Sequence, residues 1–345
     1  MQRVLENRTS IYGMMALWIM LFHIQGYAGI PLPFLSKFIN YPLGYIISLG
    51  SVGVDVFMFL SAYCLTLSFA KYKRVSDFLK KRFKRVLIPY ILIATPFLIW
   101  KNCITVDVDI HNRICAFIAD LSGFSFIHTG MDWTWFVFAI LLLYTMFPAL
   151  YSICKVGWGK SVILLVLVFI LIHLCYTSVP DNILSHRFAI AYCRIPIFLI
   201  GIICAFYLNK DCKRIIPSSL CVIISILLYC GIFCFSKYFP IQYNNVFDGR
   251  IWLRFIPSVL PICFLSGWLF GKMPKLMLIN KLGEISLEIY LIHILILNLF
   301  KHYHYCDILG SWCYLLIPVV TIILSIGVQT ITNILINESS CRSRH

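Results

Sequence analysis

Residues 11–29 read IYGMMALWIMLFHIQGYAG, an apolar run from Ile11 to Gly29 interrupted by one imidazole, His23. A run of this length is long enough to cross a bilayer as a helix. An ionisable group in such a helix is costly to hold there, so it marks either a working side chain or a packed, hydrogen-bonded one. Both readings of His23 stand on this stretch alone.

The rest of the chain repeats the pattern. Of 345 residues, 61% are hydrophobic and only 12% charged, and the mean hydropathy is +0.88. Soluble domains carry about twice that charged fraction, so an all-α polytopic membrane protein is expected. Residues 1–10 are polar, and the first apolar run lacks a small-residue cleavage site, so it reads as a span and not as a cleaved signal. The net charge of +15 reads as loop orientation, with no nucleic-acid partner. Fifteen cysteines lie mostly inside apolar runs, among them Cys64, Cys154, Cys175, Cys204, Cys221, Cys230 and Cys234, and no C-x-x-C occurs. Buried cysteine behaves as a small hydrophobe, so neither a disulfide framework nor a metal site is expected. The sequons at Asn7 and Asn337 fall on segments placed in the cytoplasm below and read as chance matches.

Apolar runs of about twenty residues predict ten spans: 11–29, 43–69, 86–104, 134–154, 161–178, 189–208, 215–236, 251–270, 284–300 and 312–336. The stretch 110–128 is only partly apolar and reads as a re-entrant or interfacial helix on the outer side. Orientation follows from the basic loop 71–85, where Lys71, Lys73, Arg74, Lys80, Lys81, Arg82, Lys84 and Arg85 crowd together. The excess of Lys and Arg places that loop in the cytoplasm, and with ten spans both termini lie there too. The other loops alternate consistently, with Lys and Arg inside and Asp-balanced segments outside. No repeat or soluble domain breaks the chain, which reads as one domain, 1–345.

Few ionisable groups fall within the spans: His23, Asp55, His173, Arg194, Arg254, Glu288 and His293. By helical rise, His23 sits ~18 Å from the cytoplasmic start of its helix and Asp55 ~18 Å below the outer surface. His293 sits roughly 12–14 Å above the inner surface. The three are expected near one depth, either as a reactive group or as a structural polar network between helices. Ser286, Tyr290 and His293 share one helical stripe and are expected to line a cavity or hold the packing. Glu288 points elsewhere and is expected to neutralise Arg194 or Arg254. Trp133, Trp135 and Phe136 sit where aromatics commonly anchor an outer interface, with sugar stacking at Trp135 the alternative. His173 reads as a packed polar residue.

Four stretches, in order, resemble the integral-membrane acyltransferase 3 family, whose members O-acetylate bacterial surface sugars. The first ends at His23. The second is GSVGVDVFMFLSAY, Gly50 to Tyr63. The third is FLKKRFKRVLIPY, Phe78 to Tyr90, and the fourth is LGEISLEIYLIH, Leu282 to His293. WTWF with Tyr144 and Pro148, and the stretch from Arg194 to Gly201, add weaker support. The resemblance implies a multi-pass protein of the bacterial cytoplasmic membrane. Its substrates would be acetyl-CoA as cytoplasmic acyl donor and a glycan or lipid-linked saccharide as acceptor, with no metal. It carries the family's catalytic histidine onto His23. A hydroxyl needs a base to accept its proton, and Asp55 would orient that base or stabilise its cation. His23 acting as base or briefly carrying the acyl group both fit. Arg82 and Arg85 match the family's R-x-x-R; at i and i+3 they share a helix face suited to CoA phosphates, the alternative being topology or anionic lipid.

Two positions depart from the family pattern. Tyr12 stands eleven residues before His23, where the family carries arginine, leaving Arg8, Arg194 or Arg254 to supply a cation. Ala62 follows Ser61 where glycine is common. The rival readings are a transporter or flippase of an envelope precursor, and a catalytically degenerate assembly subunit.

Overall fold

In lipid the backbone has no water to bond, so an apolar run closes its hydrogen bonds within a helix. In the computed structural model every regular element among the described residues is helical. The described residues are 1–27, 37–104, 109–129, 133–178, 188–207, 223, 227, 256–273 and 276–342.

Among the described residues, five helices are long and apolar enough to cross a membrane: Leu43–Phe69, Val75–Asn102, Trp135–Val156, Ile190–Tyr207 and Tyr305–Asn337. Met277–Glu284 and Ser286–His302 form a pair bent by 77°, a sixth span if taken together, and Trp158–Ile172 and Ile256–Lys272 are shorter apolar helices. The first predicted run is the 20-residue helix Arg8–Tyr27. It is not among the five because His23, Gln25 and its glycines and tyrosines dilute its hydropathy. Of the run 215–236 only residues 223 and 227 are described.

The basic stretch is largely helical and not an open loop. Only residues 70–74 interrupt it, and Val75–Ile99 is one helix with Pro89 and Pro96 inside. Lysine and arginine are good helix formers, and Asp77 in the first turn suits the helix dipole. Arg82 and Arg85 therefore ride on the same helix that continues into the membrane-length segment.

The chain divides into two compact units, Met1–Arg8 with Asp55–Lys80 and Gly123–Pro274, and Thr9–Val54 with Lys81–Ser122 and Lys275–His345. In the first, Trp135–Val156 and Trp158–Ser178 both pack on Ile195–Tyr207. Gly201 allows the closest approach, since a Cβ there would stand 2.5 Å from the Phe59 carbonyl oxygen and 2.8 Å from the Ala62 Cβ. Small residues at such crossings let helix backbones meet. Ala62 is thus accommodated, its methyl packed beside a residue with no side chain. Phe69 meets Phe78, Phe147 and Tyr151 edge-on, at centroid distances of 4.9, 5.2 and 4.8 Å.

In the second unit, Ser286–His302 packs along Cys313–Arg342. The helix Arg8–Tyr27 meets Met277–Glu284 backbone to backbone. A Cβ at Gly283 would overlap the Thr9 carbonyl, and one at Gly13 would overlap the Ile279 carbonyl. The Ser10 hydroxyl donates to the Asn280 side-chain oxygen at the same crossing. On another side of the helix, Trp18 Nε1 donates to the Ile46 carbonyl at 2.8 Å. The helix Ile110–Ser122, 13 residues, is about 20 Å long and too short to span. Its Asp120 takes Lys101 Nζ at 3.0 Å and Asn102 Nδ2 at 3.1 Å.

Candidate functional site

His23 lies near the C-terminal end of Arg8–Tyr27, and His293 lies midway along Ser286–His302. The glycine crossing below brings these helices close enough for the rings to meet. His293 Nε2 is 3.0 Å from His23 Nδ1, with ring centroids 5.0 Å apart. The other nitrogen of His293, Nδ1, donates to the Ile289 carbonyl one turn back, at 2.9 Å. The His23 ring likewise hydrogen-bonds the backbone at Ile19. His293 is 0% exposed, whereas His23 is half-buried. Phe22 lies edge-on to His23 at 5.0 Å and Tyr290 edge-on to His293 at 5.7 Å. The depth expectation for these two residues therefore resolves into a direct contact.

Ser10 with Asn280, Gly13 with Gly283 and His23 with His293 advance together along the two segments. The helix Arg8–Tyr27 and the segment 277–302 therefore run in the same direction.

The first unit holds a second polar cluster. Asp55 Oδ1 is 3.1 Å from Arg194 Nε, and both side chains are 1% exposed. Arg194 Nη1 donates to the Ile190 carbonyl at 2.6 Å, and its Cζ stands 4.8 Å from the Trp135 ring centroid. Salt bridge, backbone acceptor and aromatic face together spread the guanidinium charge. The structure pairs Arg194 with Asp55, and one expectation changes here. Trp135 is buried beneath the guanidinium, not displayed as an interface anchor. In the same unit Ser61 Oγ and Tyr144 OH are 3.3 Å apart.

Glu288, buried in the first turn of Ser286–His302, feels the charge of Arg85. Arg85 is exposed and Arg82 half-buried, as are Ser286 and Tyr12, while Tyr290 is buried and Arg8 is exposed. Arg254 and the side chain of His173 lie outside the described residues. Among the described residues no three His, Cys, Asp or Glu gather as a metal site.

Sequence reasoning missed the Ile289 carbonyl as the anchor of His293, although a carbonyl four residues earlier is available to any helical histidine. It also missed Trp135 as a partner for Arg194. An aromatic residue at a span end and an arginine inside another span were the available signals.

In comparisons with known proteins, residues 13–331 match the family described as an acyltransferase domain. No curated protein matches, and no solved structure matches.

Proposed function

The chain belongs to the acyltransferase 3 family, and on that premise we propose that it moves an acetyl or other short acyl group from acyl-CoA to a hydroxyl of a cell-surface glycan or its lipid-linked precursor. The observation that carries this reading is the His23–His293 contact. It holds a half-buried imidazole on a fully buried one, on the helix where the family places its base. His23 removes the hydroxyl proton as the oxygen attacks the thioester carbonyl carbon. The carbon–sulfur bond breaks, and the departing thiolate takes the proton. Arg82 and Arg85, on one face of their helix, take the CoA phosphates, with Glu288 steadying Arg85. Asp55 and Arg194 already satisfy each other's charge and are assigned to bracing Trp135 and the helices around it. Ser286 and Tyr290 line the acceptor side.

We place the protein in the bacterial cytoplasmic membrane as one ten-span domain with both termini inside. Parallel travel of Arg8–Tyr27 and 277–302 requires an odd number of crossings between them, and the ten-span layout supplies seven, from 43–69 to 251–270. The 77° break before Ser286 favours one rival, because discontinuous helices line the substrate paths of transporters.

Purified protein in nanodiscs, given labelled acetyl-CoA and candidate glycans, is expected to transfer label, and His23→Ala to abolish transfer with the fold intact. Undiminished transfer in His23→Ala ends the assignment of His23. Glycolipid movement without acetyl-CoA consumption favours the transporter. Arg82→Ala and Arg85→Ala are expected to raise the acetyl-CoA requirement; an unchanged requirement reduces the pair to a topology signal.

A further inference from the structure

We propose that His293 is a positioning residue that fixes the tautomer of His23, so that His23 presents a bare Nε2 to the acceptor hydroxyl. The proposal rests on the reading of His23 as base. A neutral imidazole has one N–H and one lone pair, so two rings in series ending on a carbonyl admit one consistent assignment. The Ile289 carbonyl can only accept, which puts a proton on His293 Nδ1, 2.9 Å away. His293 Nε2 is then a lone pair. His23 Nδ1, 3.0 Å from it, must carry a proton, and His23 Nε2 is left bare.

Burial makes the assignment hard to escape. His293 is 0% exposed, so no bulk water can replace a lost partner, and reversing one ring would set two lone pairs or two N–H groups against each other. The rings that flank the pair, Phe22 and Tyr290, limit rotation. In the reaction Nε2 takes the hydroxyl proton and returns it to the thiolate, while Nδ1 keeps its own proton on His293 throughout. His293 thus does, without charge, what a carboxylate does for the histidine of a hydrolytic triad. A neutral partner also avoids placing an anion within the membrane.

The test uses full-length protein, ¹⁵N-labelled at histidine, in nanodiscs, with His23→Asn to assign the His23 signals. The parent is expected to show a protonated Nδ1 and a bare Nε2 at His23. His293→Leu, with no acceptor, is expected to mix the tautomers and lower kcat roughly 100-fold while KM for acetyl-CoA holds. His293→Gln, whose amide oxygen can accept the same N–H, is expected to recover kcat to within about tenfold of the parent. A parent spectrum with the proton on Nε2 overturns the proposal even if His293→Leu fails to fold. Equal losses in the Leu and Gln variants with the tautomer unchanged also overturn it and reduce His293 to packing. Full activity in His23→Ala would instead defeat the reading of His23 as base, and the spectrum would still report the tautomer.

Discussion

His23 with His293 and Asp55 with Arg194 are both pairs of ionisable side chains on apolar helices, and they meet the cost of burial in opposite ways. The histidines bond through ring nitrogens at 3.0 Å, one of them half-buried. The aspartate and arginine stand 3.1 Å apart at 1% exposure, with Trp135 and the Ile190 carbonyl occupying the guanidinium further. A paired charge in low dielectric is held shut, because giving a proton to the carboxylate or taking one from the guanidinium would leave the other charge uncompensated. Two imidazoles can exchange a proton with a substrate while staying bonded to each other. The ion pair suits bracing and the histidine pair suits chemistry.

The largest expected effect separates the two pairs directly. His23→Ala lowers acyl transfer by roughly 100- to 10,000-fold, the range of a lost general base, with an unchanged melting temperature. A comparable loss of stability would make the histidines a second brace. Next is Arg194→Leu, which strands Asp55 and costs about 3–5 kcal/mol, read as a lower melting temperature in detergent. Replacing both partners, Asp55→Leu with Arg194→Leu, is expected to recover most of that loss. A stable double variant that transfers acyl groups confirms bracing, whereas a stable but inactive one returns Asp55 to the reaction.

Gly283→Ala probes the histidines from a distance. Its methyl collides with the Thr9 carbonyl, an overpacking cost of about 1–3 kcal/mol, and moves His293 relative to His23, so activity and stability fall together. Gly157→Ala, in open space, is the control and changes neither. The smallest expected effect is at Trp135→Leu, which removes a cation–π contact worth about 0.5–2 kcal/mol and lowers the melting temperature without touching transfer at His23.

Much of this was legible in the sequence because a bilayer imposes a length and a polarity on each helix. Leu43–Phe69 has the predicted bounds, and Trp135–Val156 and Ile190–Tyr207 differ from prediction by a residue or two. The break at Glu284–Ser286 was not legible, because mean hydropathy is blind to direction and 284–300 looks continuous to it. Depth arithmetic placed His23, Asp55 and His293 at one level, but it carries no information on the azimuth of a helix, which decides who touches whom. Asp55 therefore stands beside Arg194, a partner that depth alone did not name. Gly13, which permits the histidine contact, looked like an ordinary break in an apolar run. Nothing in the structure explains the tyrosine at position 12.

The 270-residue separation between Ser10 and Asn280, and again between His23 and His293, has a consequence for biosynthesis. At about 5–20 residues per second, the helix bearing His23 leaves the ribosome roughly 15 to 55 s before the segment that receives it. During that interval its imidazole and its bare glycine face must be sheltered by lipid, by earlier helices or by the insertion machinery. The fold can close on His23 only when translation is almost complete, so an abandoned, shortened chain never assembles the pair.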